Sequence, residues 1–373
     1  MRKSRFLKRL VVSMLVAAFS VSAAEAAASP EGPCTPPGAW NLRATFPTTV
    51  VRSWGTFFPP DGRFYLMGGR FDDTAGDDFL QVNIYDPATD AWSASNATFI
   101  DGQVNNMVGG VLDFGGTQFI VVVGGSAAGA TTATSDVRQY DPVGDAMITL
   151  TMDPWPGNTD GTMLPGGGAV YNNKLFVFGG FHIGVGMLDG IYQFDPAAAE
   201  GSRWTTMTST LPTPIGYIPT AMSNGLIYLL GGSAWDDVNL TLLDSQESSV
   251  FDPEADTLSA VTTPIPRATA ETRAVAMSDG TIWVLGGGRV APNPSNEVDV
   301  YDPATDTWTL GPPLNSARRN FPADIDPATD RIWAVGGYDV DGLTPLNVNE
   351  EFDPCVVVDD TIFQDGFDGP PTG

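Results

Sequence analysis

The sequence predicts an all-β protein: a six-bladed β-propeller with four antiparallel strands per blade, closed into a ring by a strand from the N-terminal end. Three observations predict it. Apolar runs ending in a glycine pair recur at Gly68-Gly69, Gly124-Gly125, Gly179-Gly180, Gly231-Gly232, Gly286-Gly287 and Gly336-Gly337, at steps of 56, 55, 52, 55 and 50 residues. An aromatic residue followed by Asp-Pro stands downstream of every pair, at Tyr85, Tyr140, Phe194, Phe251, Tyr301 and Phe352. The sixth copy runs out before its last strand, and a matching strand stands at the other end of the chain. Copies in phase at about fifty residues, each with room for four short strands, are the signature of propeller blades.

The strands of one copy are clearest between Thr281 and Leu310. The run Ile282-Trp283-Val284-Leu285 stops at Gly286-Gly287, a second run from Val298 to Tyr301 stops at Asp302-Pro303, and a third begins at Trp308. Each run is rich in β-formers and bounded by turn residues, which reads as a strand. A further strand precedes the glycine-pair strand across a tight turn, as at Asp61-Gly62, Gly115-Gly116, Asn172-Asn173, Asn224-Gly225 and Asp279-Gly280. Such dipeptides are hairpin signals. Because the strands alternate in direction, these turns and the Asp-Pro turns share one face of the ring. The second-to-third connections and the blade-to-blade connections share the other. There the loops are long (residues 70–78, 126–134, 181–188, 233–243, 288–295 and 338–345, with linkers 153–165 and 211–219), which makes it the expected working face. Ring closure follows from Ala39-Trp40-Asn41-Leu42, which resembles Thr307-Trp308-Thr309-Leu310 and supplies the strand missing after Phe352-Asp353-Pro354-Cys355.

The pattern resembles that of the Kelch-repeat proteins: the double glycine, the downstream tyrosine or phenylalanine, and the later tryptophan at Trp92, Trp204 and Trp308. The resemblance covers nearly all of the chain between the two cysteines. Met147 and Leu258 replace the tryptophan in the second and fourth copies. The resemblance implies a Kelch-type propeller over residues 34–355 with no second domain. It also bears on activity, because a copper-radical oxidase of this superfamily needs two histidine ligands and His182 is the only histidine here. That activity is not expected.

The chain has 373 residues, 42% of them hydrophobic and 17% charged, enough for one large packed domain. Its formal net charge is -26, and Arg2, Lys3, Arg5, Lys8 and Arg9 crowd the first residues. A polyanionic surface repels phosphate backbones, so nucleic acid is excluded as a partner. The basic cluster, the apolar run from Leu10 to Val21 and the small residues after it form a secretory signal peptide over residues 1–26, with Ala24-Glu25-Ala26 the cleavage site. The run is too short for a membrane span, and the mature chain is expected to be exported, periplasmic or extracellular, monomeric and not membrane-inserted. Cys34 and Cys355 are a disulfide candidate in an oxidising compartment. Residues 356–373, rich in Gly, Pro and acids, are expected to form a flexible tail.

No nucleophile, base and orienting group stand at a recognisable spacing. Zinc sites built on several His or Cys are unavailable, and no metal site or cofactor is expected. Oxygen-rich loops at Asp72, Asp73, Asp77 and Asp78 and at Asp339 with Asp341 offer Ca²⁺ ligands, but without the spacing of a twelve-residue Ca²⁺ loop. Arg52, Arg267, Arg273, Arg318 and Arg319 stand near blade starts, where they can line the channel or neutralise neighbouring aspartates. Trp155, Tyr217 and Trp235 fall in long loops, as anchors for a sugar or protein or as packing over blade ends. The expected ligand-binding set is therefore Arg70, Trp155, His182, Tyr217, Trp235, Arg289 and Arg318. The expected function is a secreted binding module for a protein or glycan, and the alternative is a carbohydrate-active enzyme using Arg and carboxylate groups at the channel mouth.

Overall fold

The computed structural model describes residues 34–35, 38–184, 186–289, 294–354 and 356–357. The expected leader, Cys355 and the chain beyond 357 lie outside the described residues. Among those described there is no helix. Thr35–Val356 forms one compact body, a β-propeller of six blades.

Blade 1 is Trp54–Phe58, Arg63–Met67, Gln81–Asp86 and Ala91–Thr98; blade 2 is Val108–Asp113, Gln118–Val123, Val137–Asp141 and Ala146–Thr149. Blade 3 is Met163–Tyr171, Lys174–His182, Gly186–Phe194 and Trp204–Thr206; blade 4 is Thr220–Ser223, Leu226–Leu230, Ser248–Asp252 and Thr257–Ala260. Blade 5 is Arg273–Ala276, Ile282–Gly287, Ser295–Asp302 and Thr307–Leu310. Blade 6 takes Ala323–Ile325, Ile332–Val335 and Asn349–Asp353 from the C-terminal end and Ala39–Leu42 from the N-terminal end. The register is Trp40 opposite Phe352, the same pairing as Trp308 opposite Tyr301. Ring closure by the N-terminal strand is thus observed. Cys34–Thr35 pairs with Val356–Val357 as a separate two-stranded ribbon.

Each second strand is buried almost throughout, as expected of a strand covered on both faces by neighbouring blades. The core is accordingly divided into seams, one between every two neighbouring blades. Trp54, Tyr65, Met107 and Ile120 fill the seam between blades 1 and 2, and Phe46, Phe57, Phe64 and Trp333 fill the seam between blades 6 and 1. In the latter, Phe57 and Trp333 stack with ring centroids 5.1 Å apart.

The glycine pairs carry the chain past these seams. At Gly68 and Gly69 φ is 60° and 87°, and a Cβ would stand 2.6 Å from the carbonyl oxygen of Val104 in the next linker and 2.7 Å from that of Val51. With no side chain in the way, the Gly69 amide donates to Val104 at 2.9 Å and ties blade 1 to the linker of blade 2. Tryptophans make a second tie. Trp92, Trp204, Trp308 and Trp40 donate their indole N–H to linker carbonyls of Ala44, Asp153, Thr263 and Pro312 at 2.8 to 2.9 Å. Met147 and Leu258 do occupy the tryptophan slot, opposite Tyr140 and Phe251. Neither side chain can donate, and the turn carboxylates Asp145 and Asp256 hold the linker there by accepting the amides of Asn96 and Thr208.

One element was absent from the sequence reading. The loop of blade 4 is itself a hairpin, Ser233–Asp236 paired with Thr241–Asp244, with Val238 and Leu240 exposed at its tip.

Candidate functional site

The innermost strands of all six blades surround a central channel of about 390 Å³, lined by small and apolar residues together with Thr56, Thr220, Arg273 and Asp324. At the end of the channel on the long-loop face, the residue two or three positions before the innermost strand adopts a positive φ: Arg52 (58°), Asn106 (58°), Tyr217 (52°), Glu271 (54°) and Asn320 (55°). Blade 3 has Gly166 near the equivalent place. A left-handed conformation costs a non-glycine residue about 1–2 kcal/mol, and strain of this kind gathers where surrounding structure enforces it. Main-chain hydrogen bonds running from blade to blade enforce it here. The amide of Arg52 donates to Asn320, that of Asn106 to Arg52, that of Glu271 to Tyr217 and that of Asn320 to Glu271, with Ile218 donating to Gly166. Together they form a collar that turns each backbone along the ring and gathers the side chains at the channel mouth.

Two carboxylates organise the guanidinium groups around this collar. Glu271, 4% exposed, pairs with Arg319 and with Arg289 at 2.6 Å. Burial alone would favour its neutral form, but Arg319, Arg289 and Arg52 hold its carboxyl below the usual range. Asp73 pairs with Arg70 and lies 3.6 Å from Arg52. The Tyr338 ring lies beneath Arg319 and Arg52, its centroid 4.4 and 5.5 Å from their guanidinium carbons, and its hydroxyl donates to Asp73. Burial opposes the charge of Arg52, yet its surroundings, the carboxylates Glu271 and Asp73 among them, hold its pKa above the ordinary value. Burial pushes the Tyr217 hydroxyl up to about 12 against the lowering effect of Arg52, so it is a protonated donor at neutral pH. On its outer side Tyr217 meets Phe181, centroids 5.7 Å apart, and Phe181 meets Trp235 at 6.5 Å.

The structure therefore divides the expected residues. Arg70, Tyr217 and Arg289 come together at the mouth, and Trp235 joins them through Phe181. Trp155 does not. It is 1% exposed, packed with Leu175 and Val177 between blades 2 and 3 and edge-on to Tyr192, so it is a packing group. Arg318 is wholly buried, paired with Glu350 and donating to the carbonyls of Ala334, Gly336 and Val348, which makes it a clamp on the last glycine pair and removes it from the binding set. His182 lies against Thr162 (3.0 Å) and Asp160 (3.3 Å), with no bond to the mouth among the described residues. In the acidic loops Asp78 accepts from Asn105 and Ala128, and Asp341 from Leu343 and Thr344. Among the described residues no three His, Cys, Asp or Glu side chains gather as metal ligands.

Glu271, Asn106 and Asn320 were missed from sequence, and Arg52 was noted only for its place near a blade start. The collar residues share no side-chain type. The five non-glycine members have in common a backbone conformation at one phase of the repeat, and the legible signal was position, 14 to 18 residues before the glycine pair that follows.

Comparison with known proteins agrees with this architecture. The family model described as "Kelch motif" matches residues 272–315. The chain is 28% identical over 181 residues to Kelch-like protein 35 of Mus musculus, covering 48% of this chain and 28% of that protein. It is 28% identical over 159 residues to Spermatocyte protein spe-26 of Caenorhabditis elegans, covering 41% and 26%. The matches thus span about a quarter of the length of these curated relatives. The solved structure "Structure of YjhT" superposes with a TM-score of 0.63 at 15% identity, over 83% of this chain and 96% of that one, a likeness of fold. With the Kelch motif matched in its fifth blade and the same glycine, aromatic and closure devices in the others, the chain is a six-bladed β-propeller that is similar to the Kelch-repeat proteins.

Proposed function

We propose that this chain is a binding propeller that docks a protein partner on its long-loop face. The observation that carries the reading is the set of exposed apolar tips on that face: Val238 (88%) and Leu240 (71%) on the blade 4 hairpin, Val340 (63%) and Leu343 (73%) on the blade 6 loop. They flank blade 5 and rim the arginine-rich mouth. Apolar tips around a charged centre are the composition of a docking surface, and Kelch propellers generally bind proteins. A glycan is the finer alternative, supported by the aromatic wall of Tyr217, Phe181 and Trp235; a sugar-release and sugar-oxidation assay tests the enzymatic version of it. Export and a Cys34–Cys355 bridge belong to the same reading and are carried by the sequence of the leader and the cysteine pair.

Cross-linking of the purified chain in extracts of its source cells, read by mass spectrometry, tests the docking reading. The paired change Val238→Asp with Leu240→Asp removes the specific partner, whereas Val143→Asp, an exposed valine on the opposite, tight-turn face, leaves it. Equal loss from both variants, or retention by the hairpin variant, rules the long-loop face out.

A further inference from the structure

We propose that the collar at the channel mouth is a carboxylate-binding site in which Arg52 and Arg289 hold the anion and Tyr217 donates to it. The proposal rests on the long-loop face being the working face, and it names the chemistry that face recognises at its centre.

Charge is the first observation. Arg52, Arg70, Arg289 and Arg319 converge around Glu271 and Asp73, cations in excess over the carboxylates they pair with, in a chain whose formal charge is -26. The excess is local and runs against the whole molecule. Unspent donors are the second. Arg52 donates through Nε to the Tyr338 hydroxyl at 3.0 Å, and its terminal nitrogens have no hydrogen-bond acceptor among the described residues. Arg289 spends Nη1 on Glu271, and Tyr217, a residue of the small recess at the mouth, has no hydrogen-bond partner for its hydroxyl among the described residues. The third is the cost of the arrangement: Arg52, Tyr217 and Glu271 hold left-handed backbones that bring these side chains to one place.

The same collar sets the kind of donor an anion meets. Phosphate sites of the nest type draw on main-chain N–H groups. Here the amides of Arg52, Asn106, Glu271 and Asn320 are consumed by blade-to-blade bonds, which leaves side-chain donors alone. Planar guanidinium groups match the two oxygens of a carboxylate. That carboxylate comes either from an acidic side chain of a protein partner or from a small organic acid such as an acidic sugar, whose ring would lie against Tyr217 and Phe181.

Calorimetric titration of the full chain tests this with two matched pairs of probes: sodium glucuronate against glucose, and a Glu-containing peptide against the same peptide with Gln. The carboxylate member of at least one pair binds about tenfold or more tighter than its neutral match, a difference of about 1.4 kcal/mol. Binding of glucuronate assigns the site to small acids, and binding of the Glu peptide alone assigns it to a partner's side chain. Tyr217→Phe weakens that binding while the melting curve stays in place. Arg289→Gln, which also takes one of two counterions from Glu271, weakens it with a fall in melting temperature, so its titration is run well below that temperature, and Arg52→Gln is read in the same way if it folds. Failure of both carboxylates to exceed their neutral matches, or undiminished binding in Arg289→Gln and Tyr217→Phe, overturns the proposal. If the cross-linked partner is lost in the hairpin variant yet both carboxylates fail, the docking face stands and the carboxylate site falls.

Discussion

Trp155 and Trp235 look alike in sequence, each a tryptophan within a long loop, and the structure gives them opposite physical roles. Trp155 packs edge-on against Tyr192 in a blade seam, so Trp155→Ala opens a large cavity and costs about 3–5 kcal/mol, read as a fall in urea midpoint. Trp235 is partly exposed on a hairpin, and Trp235→Ala leaves that midpoint nearly unchanged. Burial of a loop aromatic depends on which strand ends surround it, and a loop has no periodicity from which to read that. Glu271 was invisible for a related reason, since its neighbours Arg289 and Arg319 come from elsewhere in the chain. Replacing it by Gln leaves Arg319 and Arg289 without their counterion and costs about 3 kcal/mol at neutral pH. The pH dependence has a definite sign. The folded-state pKa of Glu271 is depressed, so its contribution is present above the unfolded value of about 4.3 and is lost as pH falls through the folded one. The wild type therefore loses thermal stability as acid is added below that range, and Glu271→Gln starts lower and loses less. Parallel acid limbs in the two proteins would show that this carboxylate is not ionised in the fold.

At the scale of the element, the repeat was legible because its punctuation is chemical. A glycine pair is needed where carbonyls of two linkers crowd the chain, and an Asp-Pro turn is needed to return the strand, so both recur whatever fills the apolar positions. The Met147 and Leu258 slots were readable because register, once set by the glycine pair and the turn, places the residue opposite the buried aromatic. The blade 4 hairpin was not readable: after the buried Ser233 the strand Ser233–Asp236 is half-exposed throughout, Thr241–Asp244 alternates exposed with half-exposed positions, and the turn at Asn239-Leu240 lacks glycine, with Leu240 itself at φ 50°. The glycine pair makes a sharp prediction. Gly69→Ala meets the Val51 carbonyl at 2.7 Å with φ at 87°, combining a steric clash with a left-handed alanine whose strain alone is about 1–2 kcal/mol. Gly62→Ala, at φ 71° in an exposed turn with open space around it, bears the strain without the clash. Chemical denaturation should rank Gly69→Ala well below Gly62→Ala; equal losses would mean that the seam relaxes around the added methyl.

For the whole molecule, the seams between blades make stability a nearest-neighbour property, as in linear repeat proteins, with the difference that a ring has no end. Blade 6 is where the ring is joined, because its outer strand arrives from residues 39–42 and its other strands from residues 323–353. Trp40 holds that joint by packing its ring at a tilt against Phe352, centroids 5.5 Å apart, and by donating to Pro312 in the linker from blade 5 at 2.9 Å. The amide of Arg43 donates to Asn349, and the chain then supplies Phe46 and Val50 to the seam with blade 1. Trp40→Ala removes the ring contact and the tie together, a loss of about 3–5 kcal/mol for a buried tryptophan. That loss falls at one point of the circle. Hydrogen exchange should therefore quicken first in Asn349–Asp353 and in the first strands of blade 1, while the strands of blade 3, across the ring, keep their protection until the propeller unfolds as a whole. If protection instead falls evenly around all six blades, the joint is no weaker than any other seam, and closure by the N-terminal strand contributes to the global fold without setting where opening begins.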